Sequence, residues 1–535
     1  MSGQETVANT VIRLLKEAGA DTVFGLPGGE NVELMEALKT QGLRFVLVKN
    51  ESSAVYMADV YSRLTGKPGV CLTTLGPGAT NAFVGMAHAD LDRAPVLLLT
   101  AETNQSFLPD HTHQVYDLQT IFKPICKLSL SLNPDNVYEG VIEALRLMKE
   151  GRPGPVHLSL SREMASKEAQ AHIPAHHESL LIQGNETELK LAVDAMSQAR
   201  TPLIIAGLGL EPSKPYKALQ SFAENLSAPV IVTPKAKGAL SDKHSLSAGT
   251  LGLTRTDPVY DLIEKADLIV AIGFDVVELV KPWDEKADLI WIADWENSAP
   301  ELPAIFSFVG QIGHTLEQLT LHIKQQENDA EVRVSAFHKK LSQQELPVAT
   351  EGRILPQQLL STARAHLASD VLITTDVGSH KIFTALNWQA YTANRYMLSN
   401  GLSAMGFGLS AAIAGAIALG DMAVCITGDA GFSMVMGELG IIRELDLPVM
   451  IIIMNDAALD LIRSAQHRAE KVAFGTEFLN PDFKDIASAY QLNYYKITSE
   501  ESCEDAFIEC VEKQRACILD VLIDPGSYPT SVKAL

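Results

Sequence analysis

Two residues suited to chemistry stand at the ends of very apolar runs. Val424–Thr427 is followed at once by Gly428-Asp429-Ala430-Gly431, and Val449–Met454 is followed by Asn455-Asp456. Each run is a predicted strand, with the helical stretch GFSMVMGELGIIREL between them. In a parallel sheet, strand ends separated by one helical crossover are neighbours, so Asp429 and Asn455 can face one cavity. A carboxylate and an amide oxygen are hard donors of the kind Mg²⁺ or Ca²⁺ takes. The small residues Gly428, Ala430 and Gly431 leave backbone amides accessible at a helix start, which favours phosphate oxygens. Either residue alone reads as a strand-ending turn or a cap. Their pairing, 26 positions apart and each directly after an apolar run, is more specific.

A second acid lies near the amino terminus. Phe45–Val48 reads as a strand, and Lys49-Asn50-Glu51 leads into SSAVYMADVYSRLTGK. Ala54, Ala58 and Tyr61 fall at helical spacing, which makes Asn50 an N-cap and puts Glu51 in the first turn. By itself such a glutamate does no more than complement the helix dipole.

The elements that must position these residues follow one pattern. Short apolar runs, among them Val96–Thr100, Leu203–Ala206, Val230–Thr233, Leu268–Ile272, Leu289–Ala293, Val371–Thr375 and Ile518–Ile523, alternate with helical stretches through the whole length. That alternation predicts α/β architecture with doubly wound parallel sheets, whose ligands sit beyond the carboxyl ends of the strands. At 535 residues the chain is too long for one core. Two stretches without sustained periodicity, Ser166–Glu188 and Gln325–Arg353, read as linkers, the second as a helix followed by an exposed connection. They divide the chain into three α/β domains: 1–175, 185–340 and 350–535. The group His172, His176 and His177 falls in the first linker and reads as exposed chain, not as a metal site.

Composition narrows the function classes. A net charge of −22 argues against nucleic acid or an anionic membrane as partner. The first twenty residues read as an amphipathic helix and not as a signal peptide. Ser403–Leu419 carries no charge but is rich in Gly, Ala and Ser, the composition of a buried helix more than of a membrane span. Six scattered cysteines without a CxxC pattern read as reduced thiols of a cytoplasmic protein.

The Gly-Asp-Ala and Asn pair resembles the thiamin diphosphate motif, GDG followed by Asn, with Ala430 in place of the final Gly. VKNESSAVYMADVYSRLTGKPGV is similar to the E-x-x-A-x-x-M-A-x-x-x-x-R stretch of the same family, the thiamin diphosphate-dependent decarboxylases and acetolactate synthases. The resemblance runs nearly the full length. Phe24–Gly29, with Pro27 and Gly28, is similar to the early FGxPG turn. Leu75–Asn81, with Gly76 and Asn81, resembles the GPGxxN loop, and Arg152–Val156 the RPGPV strand. Asp376–His380, with Gly378, Ser379 and His380, is similar to a second diphosphate-contacting loop, where Ser379 replaces a longer polar residue. Asn400–Gly406 resembles the stretch that props a bent cofactor.

The resemblance implies pyrimidine-binding, central and diphosphate-binding domains, with thiamin diphosphate and Mg²⁺ as cofactors. It implies Asp429, Asn455 and the Ala457 carbonyl as metal ligands, and Glu51 as the carboxylate that activates the aminopyrimidine. Met405 becomes the wedge, and the Ser403 carbonyl receives the aminopyrimidine. Because Glu51 and Asp429 lie in different domains, it implies a site at a dimer interface, within a homodimer or homotetramer. Gly207 and Gly209 of the central domain could suit FAD or form a plain glycine turn.

The implied reaction opens with loss of carbon dioxide from a small 2-oxo acid. The remaining fragment is then joined to a second carbonyl, as in acetolactate synthases. The alternatives are a simple 2-oxo acid decarboxylase or C–C lyase, and, of another class, a non-catalytic scaffold or regulator of the same fold. Two departures bear on the acceptor. Glu30 stands where catabolic relatives carry a lysine, and Asp460 occupies a position usually small or neutral. Both disfavour a second anionic oxo acid and point to a neutral or cationic acceptor. His111, His113 and Gln114 belong to a loop that faces substrate in relatives, and Lys381 is the nearby cation for a carboxylate.

Overall fold

The computed structural model describes residues 5–104, 106, 110, 113–170, 186–251, 253, 259–279, 286–324, 328–343 and 346–528. His111 and the group His172, His176 and His177 lie outside the described residues.

Among the described residues, eighteen strands form three six-stranded parallel sheets. The first contains β1 (Thr22–Leu26), β2 (Arg44–Leu47), β3 (Gly69–Thr73), β4 (Val96–Glu102), β5 (Ser129–Ser131) and β6 (Val156–Ser161), in the order β2-β1-β3-β4-β6-β5. The second contains β7 (Pro202–Ala206), β8 (Val230–Val232), β9 (Ser247–Thr250), β10 (Leu268–Ile272), β11 (Asp288–Ala293) and β12 (Phe306–Val309), in the order β12-β11-β10-β7-β8-β9. The third contains β13 (Leu372–Thr375), β14 (Tyr396–Leu398), β15 (Ala423–Gly428), β16 (Val449–Asn455), β17 (Asn493–Ile497) and β18 (Cys517–Leu522), in the order β14-β13-β15-β16-β18-β17. The doubly wound class expected from the alternating pattern is the class observed, and the first and third sheets repeat one strand order.

Burial explains why the strands read as continuous apolar runs. In β7, Leu203 and Ile205 belong to the core on one face, while Ile204 and Ala206 belong to the core on the other. A strand covered on both faces has no solvent side to mark with polar residues. The order of winding reverses between β1 and β3 in the first sheet and between β13 and β15 in the third, with the strands parallel throughout. Such switch points open a crevice at the carboxyl edge, where ligands of doubly wound sheets bind.

Packing divides the chain into two compact units. One comprises Met1–Glu178, Gly401–Asp421 and Ser433–Val449, and the other Ser179–Asn400, Met422–Phe432 and Met450–Leu535. The uncharged stretch after Ser403 forms the helix Phe407–Leu419, buried along most of its length. Among the described residues no helix is long and apolar enough to cross a membrane.

Candidate active site

At the switch point of the third sheet, β13 delivers the Asp376–His380 loop and β15 delivers Gly428 and Asp429. A Cβ at Gly378 would lie 2.7 Å from His380 Cε1, and one at Gly428 3.0 Å from the same atom. The imidazole is therefore seated against two bare glycine backbones. Burial, with Lys381 adding to it, pushes His380 down to about 3, so the ring is neutral. Its Nε2 is buried without a hydrogen-bond partner. Lys381 is itself buried, its Nζ donating to the Ser399 carbonyl at 2.9 Å.

Asp429 is 1% exposed at the start of the helix Asp429–Val435. Its carboxylate accepts from the Ala430 N–H at 2.9 Å, the Ala457 N–H at 2.7 Å and Asn480 Nδ2 at 2.7 Å. Burial raises its pKa, and these donors only partly offset that. The Ala430 amide, expected to face a phosphate, is spent on Asp429 Oδ1 because the helix opens on that carboxylate. Gly431 serves packing: a Cβ there would lie 2.7 Å from Asp376 Oδ2.

Asn455 closes β16, the strand next to β15. Its Nδ2 donates to Asp520 Oδ1 at 2.8 Å, and Tyr494 donates to Asp520 Oδ2 at 3.0 Å. That bond fixes the amide so that Asn455 Oδ1 turns toward Asp429. Asn480 Nδ2 lies between them, 2.7 Å from Asp429 Oδ2 and 3.1 Å from Asn455 Oδ1. Ala457 adopts φ 54°, a conformation that L residues rarely hold without cause. Its carbonyl accepts from the Phe478 N–H at 3.2 Å.

One carboxylate and a neutral amide oxygen thus converge on a donor hydrogen, and a hard cation suits the same oxygens. Asn480 Oδ1 is buried without a hydrogen-bond partner. That orphaned atom and the partnerless His380 Nε2 are buried polar groups that the protein itself leaves unsatisfied. Asp460 Oδ2 accepts from Ser379 at 2.6 Å, and Arg463 donates to Asp460 Oδ1 at 3.0 Å and to Asp456 Oδ2 at 3.2 Å. Burial, reinforced by Asp429 and Asp460, pushes Asp456 up to about 7.

In the other unit, Asn50 caps the helix Glu51–Thr65, accepting from the Ser52 N–H at 2.9 Å, as the sequence predicts. Glu51 is 5% exposed. Asn81 Nδ2 donates to its Oε2 at 3.0 Å, and a Cβ at Gly78 would lie 3.2 Å from its Oε1. The glycine loop beyond β3 therefore allows the carboxylate to stand against bare backbone. Gly76 takes φ 54°, and a Cβ there would lie 2.8 Å from Gln114 Cβ. After Pro27, Gly28 is tied to Asn31, whose Oδ1 accepts the Gly28 N–H at 2.9 Å. Glu438, 1% exposed, accepts from the Lys49 N–H at 3.0 Å and so anchors the approach to the Glu51 helix.

Glu30, His113 and Gln114 line one cavity of about 330 Å³, together with Leu75, Glu102 and Arg162. Glu30 Oε2 accepts from Thr74 Oγ1 at 3.0 Å. In the same unit Ser403 holds φ 54°, and Met405 is half-buried two residues on. Gly207 and Gly209, in the other unit, serve close packing. A Cβ at Gly207 would lie 2.6 Å from Glu278 Oε2, and one at Gly209 2.8 Å from the Gly273 carbonyl.

The sequence reading missed Asn480, Asp520, Glu438 and Arg162. Glu438 alone carried a signal, as an acid inside the apolar stretch that follows Asp429.

The order of these parts is that of a family described as thiamine pyrophosphate enzymes. Its N-terminal TPP binding domain matches residues 5–121, its central domain 189–319 and its C-terminal TPP binding domain 376–521. The chain belongs to this family and is a thiamin diphosphate-dependent enzyme of the decarboxylating, carboligating kind. It is 30% identical to the acetolactate synthase large subunit of Buchnera aphidicola subsp. Schizaphis graminum, over 98% of this chain and 96% of that protein. It is 29% identical to a probable acetolactate synthase large subunit of Methanococcus aeolicus, over 97% and 92%. It is 28% identical to the acetolactate synthase isozyme 3 large subunit of Escherichia coli, over 98% and 96%.

Proposed function

We propose that the chain joins the fragment left by decarboxylation of a small 2-oxo acid to a second carbonyl compound. Mg²⁺ is held by Asp429, Asn455 and the Ala457 carbonyl. The observation that carries the metal reading is Asn480 Nδ2, a hydrogen-bearing nitrogen set between the Asp429 and Asn455 oxygens. Gly378, Ser379, His380 and Gly428 lie where a diphosphate would be held, with the neutral His380 ring presenting a partnerless Nε2. When bound, thiamin diphosphate would supply a nucleophilic carbanionic carbon for the carbonyl and a cationic ring able to accept the electron pair released with carbon dioxide.

The remaining work falls to the chain. Glu51, oriented by Asn81, carries the proton that activates the cofactor's aminopyrimidine. Met405 and the Ser403 carbonyl hold its bent shape, and the left-handed φ of Ser403 is the kind of strain found at functional sites. Pro27, Gly28 and Gly76 form the loops beside Glu51. Glu30, His113 and Gln114 line the acceptor cavity, where the Glu30 carboxylate selects against a second oxo acid; Asp460 is held by Ser379 and Arg463, and Lys381 by Ser399. The chain is divided in this reading into domains of residues 1–175, 185–340 and 350–535, one around each sheet. Two chains complete each site, in a homodimer or homotetramer, and six free thiols suit a reducing, cytoplasmic setting.

The test is turnover of a panel of 2-oxo acids, alone and with aldehydes, with thiamin diphosphate and Mg²⁺ present and products identified by mass spectrometry. Carboligated products are expected. Decarboxylation of no donor would overturn the reading.

A further inference from the structure

One set of buried polar groups that this reaction leaves unused gathers around an imidazole. His88 lies wholly buried on the helix Pro77–Leu91, its Nε2 3.0 Å from Asp59 Oδ2 and its Nδ1 2.7 Å from Asp92 Oδ2. A neutral imidazole would turn a lone pair toward one of these anionic oxygens, so the geometry requires an N–H on both nitrogens. Arg63 completes the cluster, its Nε bonded to Asp59 Oδ1 and its terminal nitrogen donating to the Asp92 carbonyl at 2.6 Å. Two carboxylates, a guanidinium and an imidazolium then balance, as buried charge must. The other titratable groups facing the cluster are Tyr56, edge-on to His88 with ring centroids 5.2 Å apart, and Cys71, which lies close to Asp59.

The neighbours of this cluster give it a role. Asp92 Oδ1 accepts the Gly401 N–H at 3.1 Å, and a Cβ at Gly401 would lie 2.6 Å from Leu91 Cβ. Residue 401 is thus seated on the end of the His88 helix by a bond and a close contact. Two residues on stands Ser403 with its strained φ, then Met405. Phe407 packs on the His88 ring at a centroid distance of 4.9 Å. The His88 helix also carries Asn81, bonded to Glu51, while Asp59 and Arg63 lie on the helix that Glu51 begins. One imidazolium therefore ties together the segments bearing Glu51, Asn81, Ser403 and Met405.

We propose that His88 is a positioning residue for the thiamin site, holding the Gly401–Met405 segment through Asp92 and the Glu51 helix through Asp59. The inference rests on the functional reading of Ser403 and Met405 given above. Without the imidazolium, the two carboxylates repel and Asp92 turns from Gly401.

The experiment uses the full chain and the variants His88→Phe, Asp92→Ala and Asp92→Asn. Amide hydrogen exchange is read by mass spectrometry on ligand-free protein, comparing peptides over residues 400–407 with peptides over β16. In His88→Phe and Asp92→Ala, exchange at 400–407 should rise about tenfold while β16 stays unchanged, the scale of one charge-assisted hydrogen bond. Asp92→Asn, which keeps the acceptor oxygen, should restore most of the protection. The dissociation constant for thiamin diphosphate in Mg²⁺ should rise about tenfold in the first two variants, following the same loss. Unchanged exchange at 400–407, or an equal rise in both peptides, would overturn the proposal. Should His88→Phe fail to fold, the Asp92 pair decides by the same criteria. Failure of the unsubstituted chain to bind thiamin diphosphate would sink the cofactor reading instead, a distinct result because exchange is measured without ligand.

Discussion

Asn480 donates its side-chain amide to Asp429 Oδ2 at 2.7 Å, from a loop 51 residues further along the chain. The carboxylate that should hold a cation is thereby kept in place by a hydrogen-bearing nitrogen pointing where the cation's charge would act. Removing the carboxylate removes the only anionic ligand proposed for the metal. Asp429→Ala should abolish Mg²⁺-dependent binding of thiamin diphosphate in titration calorimetry. Binding at unchanged affinity would remove Asp429 from the metal site.

Glu51 is held by Asn81 at one oxygen and faces the bare backbone of Gly78 with the other. Glu51→Gln preserves the shape and the bond capacity but not the proton transfer. Thiamin diphosphate should bind nearly as before, while exchange of its C2 proton, followed by NMR, slows by about 10²-fold or more, the usual share of general acid–base catalysis.

Gly78 permits that arrangement by lacking a side chain. A methyl group there would meet Thr74 Cγ2 at 2.8 Å and Glu51 Oε1 at 3.2 Å. Gly78→Ala should cost about 1–3 kcal/mol in denaturant unfolding, as overpacking does. It should also lower kcat by displacing Glu51; loss of stability with full turnover would separate Gly78 from the carboxylate.

His88 gives the fold a dependence on pH. Burial alone would lower its pKa, but Asp92 and Asp59 outweigh that and leave it raised from 6.5. A group whose folded pKa is raised contributes stability that is complete below the unfolded value and lost as pH rises through the folded one. The urea midpoint should therefore fall on the alkaline side, and the fall should shrink in His88→Phe. An identical alkaline decline in both proteins would show that other groups cause it.

Glu30 lines the cavity proposed for the acceptor, with Arg162 and His113. Glu30→Lys reverses the charge that a second carboxylate would meet. In competition assays it should shift product toward oxo-acid acceptors over aldehydes by about tenfold, the effect of one modest charge interaction. An unchanged product ratio would move acceptor recognition elsewhere.

How much of this was legible in the sequence depends on how local each feature is. Asn50 and Glu51 were readable because a cap and a first turn lie within a few residues. Asp429 and Asn455 were readable because adjacent parallel strands bring their ends together whatever the loops do. Asn480 was not, since it reaches the site from an aperiodic segment whose course depends on tertiary pairing. Asp520 was hidden inside an apolar strand, where its partners Asn455 and Tyr494 come from the two neighbouring strands. The Ala430 amide looked available to a phosphate, yet the carboxylate one residue before it takes that hydrogen.

The first and third sheets share one strand order. In each, the loop after the third strand in chain order carries the glycines, uncharged in Gly76-Pro77-Gly78 and acidic in Gly428-Asp429-Ala430. The polypeptide thus carries one winding order twice, with a glycine loop beside the Glu51 carboxylate at one sheet and the Asp429 carboxylate in the loop at the other.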